Sequence, residues 1–151
     1  MRVKFIRGTF NEDQKKYFGV INSKGPDYSS YFTIGKIYVV LGIAYNSDPS
    51  SYRTTFIDLC DDIGNCTSIP IFLTEIVDPR PSMFWRGKII KNDLVLWPSE
   101  FYREFFHDDL SEEKPEIRRV FDIVVDRLTY EFEDATVGLP DPLAWPFEEY
   151  K

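Results

Sequence analysis

The chain has 151 residues, 43% hydrophobic and 17% aromatic, with 25 acidic against 18 basic side chains and a formal net charge of -7. That apolar content excludes a largely disordered protein, and the negative charge disfavours DNA, RNA and anionic membrane surfaces as direct partners. One histidine and two cysteines exclude a disulfide-dense fold and leave little equipment for metal or redox chemistry.

The opening run Met1-Arg2-Val3-Lys4-Phe5-Ile6-Arg7 is charged but lacks the apolar block of a signal peptide. No later segment approaches the roughly 18 apolar residues of a membrane-spanning helix. The expectation is a soluble cytoplasmic protein forming one domain over residues 1–151, β-rich through about residue 97, with a helical cover and an aromatic tail beyond.

Val3-Lys4-Phe5-Ile6 predicts a first strand. The polar residues 11–16 predict a loop, Tyr17-Phe18-Gly19-Val20-Ile21 a second strand, and residues 22–27 a turn. Residues 36–45, an almost continuous apolar run rich in β-branched and aromatic side chains, predict a central strand. After an interruption at residues 46–51, residues 52–60 resume a β pattern, and Asp62-Ile63-Gly64-Asn65 turns the chain into a partner strand over 66–72. Pro70 donates no backbone hydrogen bond, so this strand belongs at an edge or bends there. Residues 83–86 and 93–97 add two more strands around the tip at Lys91-Asn92-Asp93.

Pro98-Ser99-Glu100 starts a short helix through Phe101, Tyr102, Phe105 and Phe106, whose aromatics cover an open end of the sheet. A second helix begins near Ser111 or Glu112 and runs to about Leu128, because Ile117, Val120, Phe121, Val124 and Leu128 make one apolar face. Pro115 fits only its first turn. The acidic segment from Glu131 to Lys151 reads as extended and anchored by aromatics. The fold class is α+β: a small curled antiparallel sheet or SH3-like barrel of about five strands, with one or two C-terminal helices packed on it.

Chemical motifs are few. His107 adjoins Asp108 and Asp109, but no nucleophile accompanies it in sequence. Cys60 and Cys66 flank a turn without the further ligands of a zinc site, so they read as reduced thiols. Asp58, Asp61 and Asp62 are the densest carboxylate group and carry the enzyme alternative, divalent-metal-dependent hydrolysis. Asn65-Cys66-Thr67 matches a glycosylation acceptor without a secretion signal, and no P-loop, dinucleotide-binding or His-Glu-X-X-His pattern is present, so no cofactor is predicted.

A binding surface is the better expectation. Trp85, Arg86 and Arg80 lie in a proline-bounded segment where aromatic and guanidinium groups anchor interfaces, although alternation also allows Trp85 to be buried. Asp61, Asp62 and Asp78 form an expected acidic rim, and Glu131, Glu133 and Asp134 a second patch. A structural or regulatory subunit joined through the C-terminal aromatics is the further alternative.

The segments Gly35-Lys36-Ile37-Tyr38-Val39-Val40-Leu41-Gly42-Ile43, Asp61-Asp62-Ile63-Gly64-Asn65 and Trp97-Pro98-Ser99-Glu100-Phe101 together resemble small bacterial immunity proteins of polymorphic toxin systems, over about residues 34–101. The resemblance implies sequestration of a toxin by direct binding, with the acidic surface suited to a basic protein toxin.

Overall fold

The apolar run of residues 36–45 has its place inside a sheet, and it forms the strand on which the others assemble. The computed structural model describes residues 1–19, 25–46 and 54–133. Its strands are β1 (Arg2–Phe5), β2 (Ile37–Tyr45), β3 (Thr55–Cys60), β4 (Cys66–Pro70), β5 (Thr74–Asp78), β6 (Trp85–Ile90) and β7 (Asp93–Pro98). The helices are α1 (Glu12–Tyr17), α2 (Phe106–Ser111) and α3 (Pro115–Glu133), with 3-10 turns at Ile71–Leu73 and Ser99–Tyr102. Every pairing is antiparallel; β4-β3-β2-β1-β5 is one path, β7 joins β2, and β6 joins β7. The architecture is the expected α+β one, with a curled antiparallel sheet of seven strands where the sequence predicts about five. Among the described residues, no helix is long and apolar enough to cross a membrane.

Strand β2 serves three partners because it changes them along its length. Residues Ile37 to Val39 pair with β1, residues Ile43 to Tyr45 pair with β7, and β3 runs beside Val40 to Tyr45. The β3 register places Val40 opposite Leu59 and Gly42 opposite Asp58, so Leu41 is the extra residue of a β-bulge. The bulge resets the alternation of side chains. Tyr38 and Val40 enter a core with Val3, Phe5, Ile57 and Leu59, and Ile43 packs against the same core three positions after Val40. Leu41 instead enters a second core with Phe101, Phe106, Phe121, Val124 and Leu128 beneath the helices. Full burial of each such side chain stabilises the fold by about 1.5–3 kcal/mol.

Several expected elements differ. Residues 11–16 form α1 rather than a loop, because Asn11 and Gln14 make a reciprocal capping box with two 2.9 Å bonds. Acidic Glu12 and Asp13 open this helix and Lys15 and Lys16 close it, so local electrostatics supports a segment that buries none of its own residues. Tyr17 therefore ends a helix instead of starting a strand. Strand β5 occupies residues to which the sequence assigns no element, and the strand expected over 83–86 starts at Trp85 and continues to Ile90. The strand after the β3–β4 turn ends at Pro70, where a 3-10 turn begins, as the missing proline donor requires. The expected helix from Pro98 to Phe106 is split by Phe105, whose φ of 59° is left-handed. Helix α3 begins at Pro115 and runs five residues beyond Leu128, to Glu133. Residues 20–24 of the expected strand over 17–21 and turn over 22–27, residues 47–53 of the expected interruption over 46–51 and strand over 52–60, and the tail from 134 onward lie outside the described residues.

The bulge brings Gly42 against Trp97. A Cβ at Gly42 would lie 2.3 Å from Trp97 Cδ1 and 3.0 Å from Asp58 Oδ2, whereas one at Gly87 would meet its nearest neighbour at 3.5 Å. Gly42→Ala is expected to lower unfolding stability by about 1–3 kcal/mol through overpacking. Gly87→Ala should change it by less than about 0.5 kcal/mol, with denaturant titration of both variants as the measurement.

Candidate functional site

A carboxylate is buried only where donors replace its lost water, and this rule governs the predicted acidic residues. Asp61 is buried in the β3–β4 turn, where it accepts from the Ile63 and Asn65 amides and from the Thr67 hydroxyl, at 3.1, 2.8 and 2.8 Å. Asp62 accepts from Lys36, from the Thr33 hydroxyl at 2.7 Å and from the Tyr38 hydroxyl at 3.0 Å, tying residues 33–38 to that turn. The Lys36 bond, with Thr33 next, draws its pKa down to about 2. Asp58 accepts the Trp97 indole N–H at 2.7 Å. The carboxylates of the hydrolase alternative thus serve three separate sets of donors, and among the described residues no group of three or more His, Cys, Asp or Glu side chains is arranged to hold a metal.

Asp78 is buried under Arg80, which donates to it from Nη2 at 2.6 Å and Nε at 3.0 Å; this contact draws its pKa down to about 2. Glu131 is buried too, accepting from the Ser82 hydroxyl and the Met83 amide at 2.7 Å each and so fastening the proline-bounded loop to α3. Trp85 is a core residue whose indole donates to the Leu41 carbonyl at 2.9 Å. Arg86 is exposed, although its guanidinium donates to the carbonyls of Met83 and Trp85. Glu133 is exposed, and Asp134 lies outside the described residues. Of the expected acidic rim, Asp61 and Asp78 are buried and close their turn and loop from within, whereas Asp62 is exposed while engaged by Lys36, Thr33 and Tyr38. Trp85 is not an exposed anchor, because its ring fills the first core.

The lone histidine lines a polar cleft of about 320 Å³ between the β3–β4 turn and α2, together with Asn65, Cys66, Leu110, Ser111 and Glu113. Its ring centroid lies 4.8 Å from that of Trp97 and 5.6 Å from that of Phe101, and Nε2 is buried without a hydrogen-bond partner among the described residues. Burial pulls its pKa below the ordinary 6.5, against the opposing charges of Asp58 and Asp108. Burial, reinforced by Asp58, pushes the Cys66 thiol well above its usual range, and the Ser111 hydroxyl donates to the His107 carbonyl at 2.8 Å. The cleft holds a protonated thiol, a neutral imidazole and an engaged hydroxyl, which is not the wiring of an activated nucleophile.

The unbalanced charge lies on the helical cover. Glu104, Asp108, Glu112, Glu113 and Glu116 are exposed around the α2–α3 junction, and Asp122, Asp126 and Glu133 along α3. Of the nearby cations, Lys114 pairs with Asp109 and Glu112, Arg118 with Asp122, and Arg127 with Glu100, while Arg103 and Arg119 are exposed. Three large apolar side chains interrupt this acidic surface, Phe105 at 63% exposure, Ile123 at 57% and Tyr130 at 64%. Ile123, Asp126 and Tyr130 share a helix face by their spacing. The three- and four-residue recurrence of acids from Glu104 to Glu116 is the sequence signal for this surface.

No protein-family model, curated protein or solved structure matches this chain.

Removing Glu131 should expose the difference between its internal role and that of Glu133. Glu131→Leu leaves the Ser82 hydroxyl and Met83 amide unpaired and should cost about 1–3 kcal/mol in chemical denaturation, while Glu133→Ala should change stability by less than about 0.5 kcal/mol. His107 offers a pH test. Its folded-state pKa is depressed, so its neutral form stabilises the fold fully above about pH 6.5, and that contribution is lost as pH falls through the folded-state value. Proton NMR of this single histidine should give a midpoint below 6.5, and His107→Phe should flatten the loss of stability just below pH 6.5.

Proposed function

We propose that this protein is a non-enzymatic protein-binding module whose acidic helical cover receives a basic protein partner. The immunity-type role, sequestration of a basic toxin in the bacterial cytoplasm, is the biological setting this chemistry suits. One observation carries the reading: Asp61 and Asp78 are buried and engaged by their own turn and loop, while Glu104, Asp108, Glu112, Glu113 and Glu116 around α2 and Asp122, Asp126 and Glu133 along α3 are exposed and interleaved with Phe105, Ile123 and Tyr130.

Each component has a separate physical effect. Clustered negative charge accelerates encounter with a basic protein and repels partners of like sign. Desolvated aromatic and aliphatic side chains then retain the complex, since such anchors carry most interface energy. The same field disfavours nucleic acid, so a toxin that acts on nucleic acid would be held through its own basic protein surface. Free Cys60 and Cys66 thiols suit a reducing cytoplasm.

Immobilised protein should capture a stoichiometric basic partner from lysate of the source cell, with recovery falling as salt rises. Glu112→Lys combined with Glu116→Lys should weaken that complex by about tenfold or more, whereas Glu12→Lys combined with Asp13→Lys on α1 should not. Folding of each variant is checked by circular dichroism. An acidic partner, or a complex indifferent to the α2–α3 charge reversal, contradicts the proposal.

A further inference from the structure

The helical cover also contains a groove. It has a volume of about 490 Å³ and is lined by Ser99, Glu100, Tyr102, Arg103, Phe106, Ile117 and Val120. Phe106 and Ile117 belong to the second core and form its apolar floor, so the groove has rigid support. On α3, Glu116 stands four residues before Val120 and Ile123 three after it, placing an exposed carboxylate and an exposed aliphatic beside the groove. The bidentate ion pair of Arg127 with Glu100, at 2.8 and 3.1 Å, neutralises one wall. Arg103 is exposed on the other wall, next to exposed Glu104.

The adjoining backbone carries a second, independent signal. Phe105 immediately precedes groove-lining Phe106, holds φ at 59°, and exposes 63% of its surface. An aromatic residue in the left-handed region is strained, and an exposed ring gains little burial that would offset the strain. Its position is explained if a partner covers it. A rigid apolar groove, an exposed aromatic at its margin and surrounding carboxylates together have the composition of an interface anchor site.

Resting on the acidic-face reading, we infer that this groove is where the basic partner docks, by inserting an apolar side chain from an amphipathic segment whose lysines or arginines flank that residue. Charge complementarity selects this occupant. The insertion covers Phe105, while the flanking cations meet Glu104 and Glu116. A purely basic segment lacks the anchor, and a purely apolar one lacks the guidance.

The test uses full-length protein labelled at both its methyl groups and its backbone amides, titrated with a synthetic amphipathic helical peptide bearing leucines on one face and lysines on its flanks. Specific shifts are expected at Ile117, Val120 and Ile123. Replacing the peptide leucines with serine should weaken binding by about tenfold or more, as should Phe105→Ala in the protein. Phe105→Asn is the companion variant: asparagine tolerates the left-handed backbone, so it should lose affinity without a lower Tm. Unchanged affinity in both Phe105 variants, or equal binding of the serine peptide, overturns the groove. Absence of shifts at Ile117 and Val120 does so as well. A salt-dependent shift confined to the Glu112 and Glu116 amides would leave the acidic-face reading standing while eliminating the groove, and absence of any interaction would remove support from both.

Discussion

The fold depends on β2 turning from one set of partners to another without losing its buried side chains, and the bulge at Leu41 is what permits it. A regular strand would alternate through Val40, Gly42 and Ala44 and leave Ile43 on the helical side with Leu41; the extra residue returns Ile43 to the first core while Leu41 stays beneath the helices. The consequences extend beyond packing. The Leu41 carbonyl accepts the Trp85 indole, while the bare Cα of Gly42 admits Trp97, whose indole reaches Asp58. His107 then packs against Trp97. One irregularity in one strand thereby sets the indole hydrogen bonds of Trp85 and Trp97 and the packing behind the polar cleft.

Residues 36–45 and 115–128 were legible because their hydrophobic periodicity and the burial they require agree. Pro70 was legible for a stronger reason: removing a donor constrains a strand wherever the rest of the chain lies. By contrast, α1 depends on a short reciprocal cap, which can be read from Asn11 and Gln14 only if capping is weighed before the polarity of residues 11–16. Strand β5 was obscured by its exposed edge position, since Glu75, Ile76 and Val77 lack the alternating burial of an inner strand. Leu41 shows the deepest limit: a bulge is defined by register against a distant strand, and that register is absent from local composition.

The same distinction explains the acidic residues. Asp61 looks like a surface residue in a polar turn, and in sequence nothing separates it from Glu112. In the fold, two amides and a hydroxyl converge on Asp61, while Glu112 remains exposed in a helical turn with Lys114 as its paired cation. Donor geometry converts one carboxylate into a structural clamp and leaves the other to contribute to a surface field. Counting acids therefore locates the net charge, but only hydrogen-bond satisfaction locates the charge available to a partner.

Availability also separates the polar cleft from the apolar groove. In the polar cleft, burial suppresses the charged forms of both Cys66 and His107. The apolar groove instead combines a supported floor with an exposed, conformationally strained Phe105. Stability alone would favour a smaller or more permissive residue there, so the feature that is costly to the isolated fold is also the one most readily accounted for by contact with another molecule. The helical cover thus combines a rigid core-facing side with a partner-facing side on which charge, apolar exposure and backbone strain coincide.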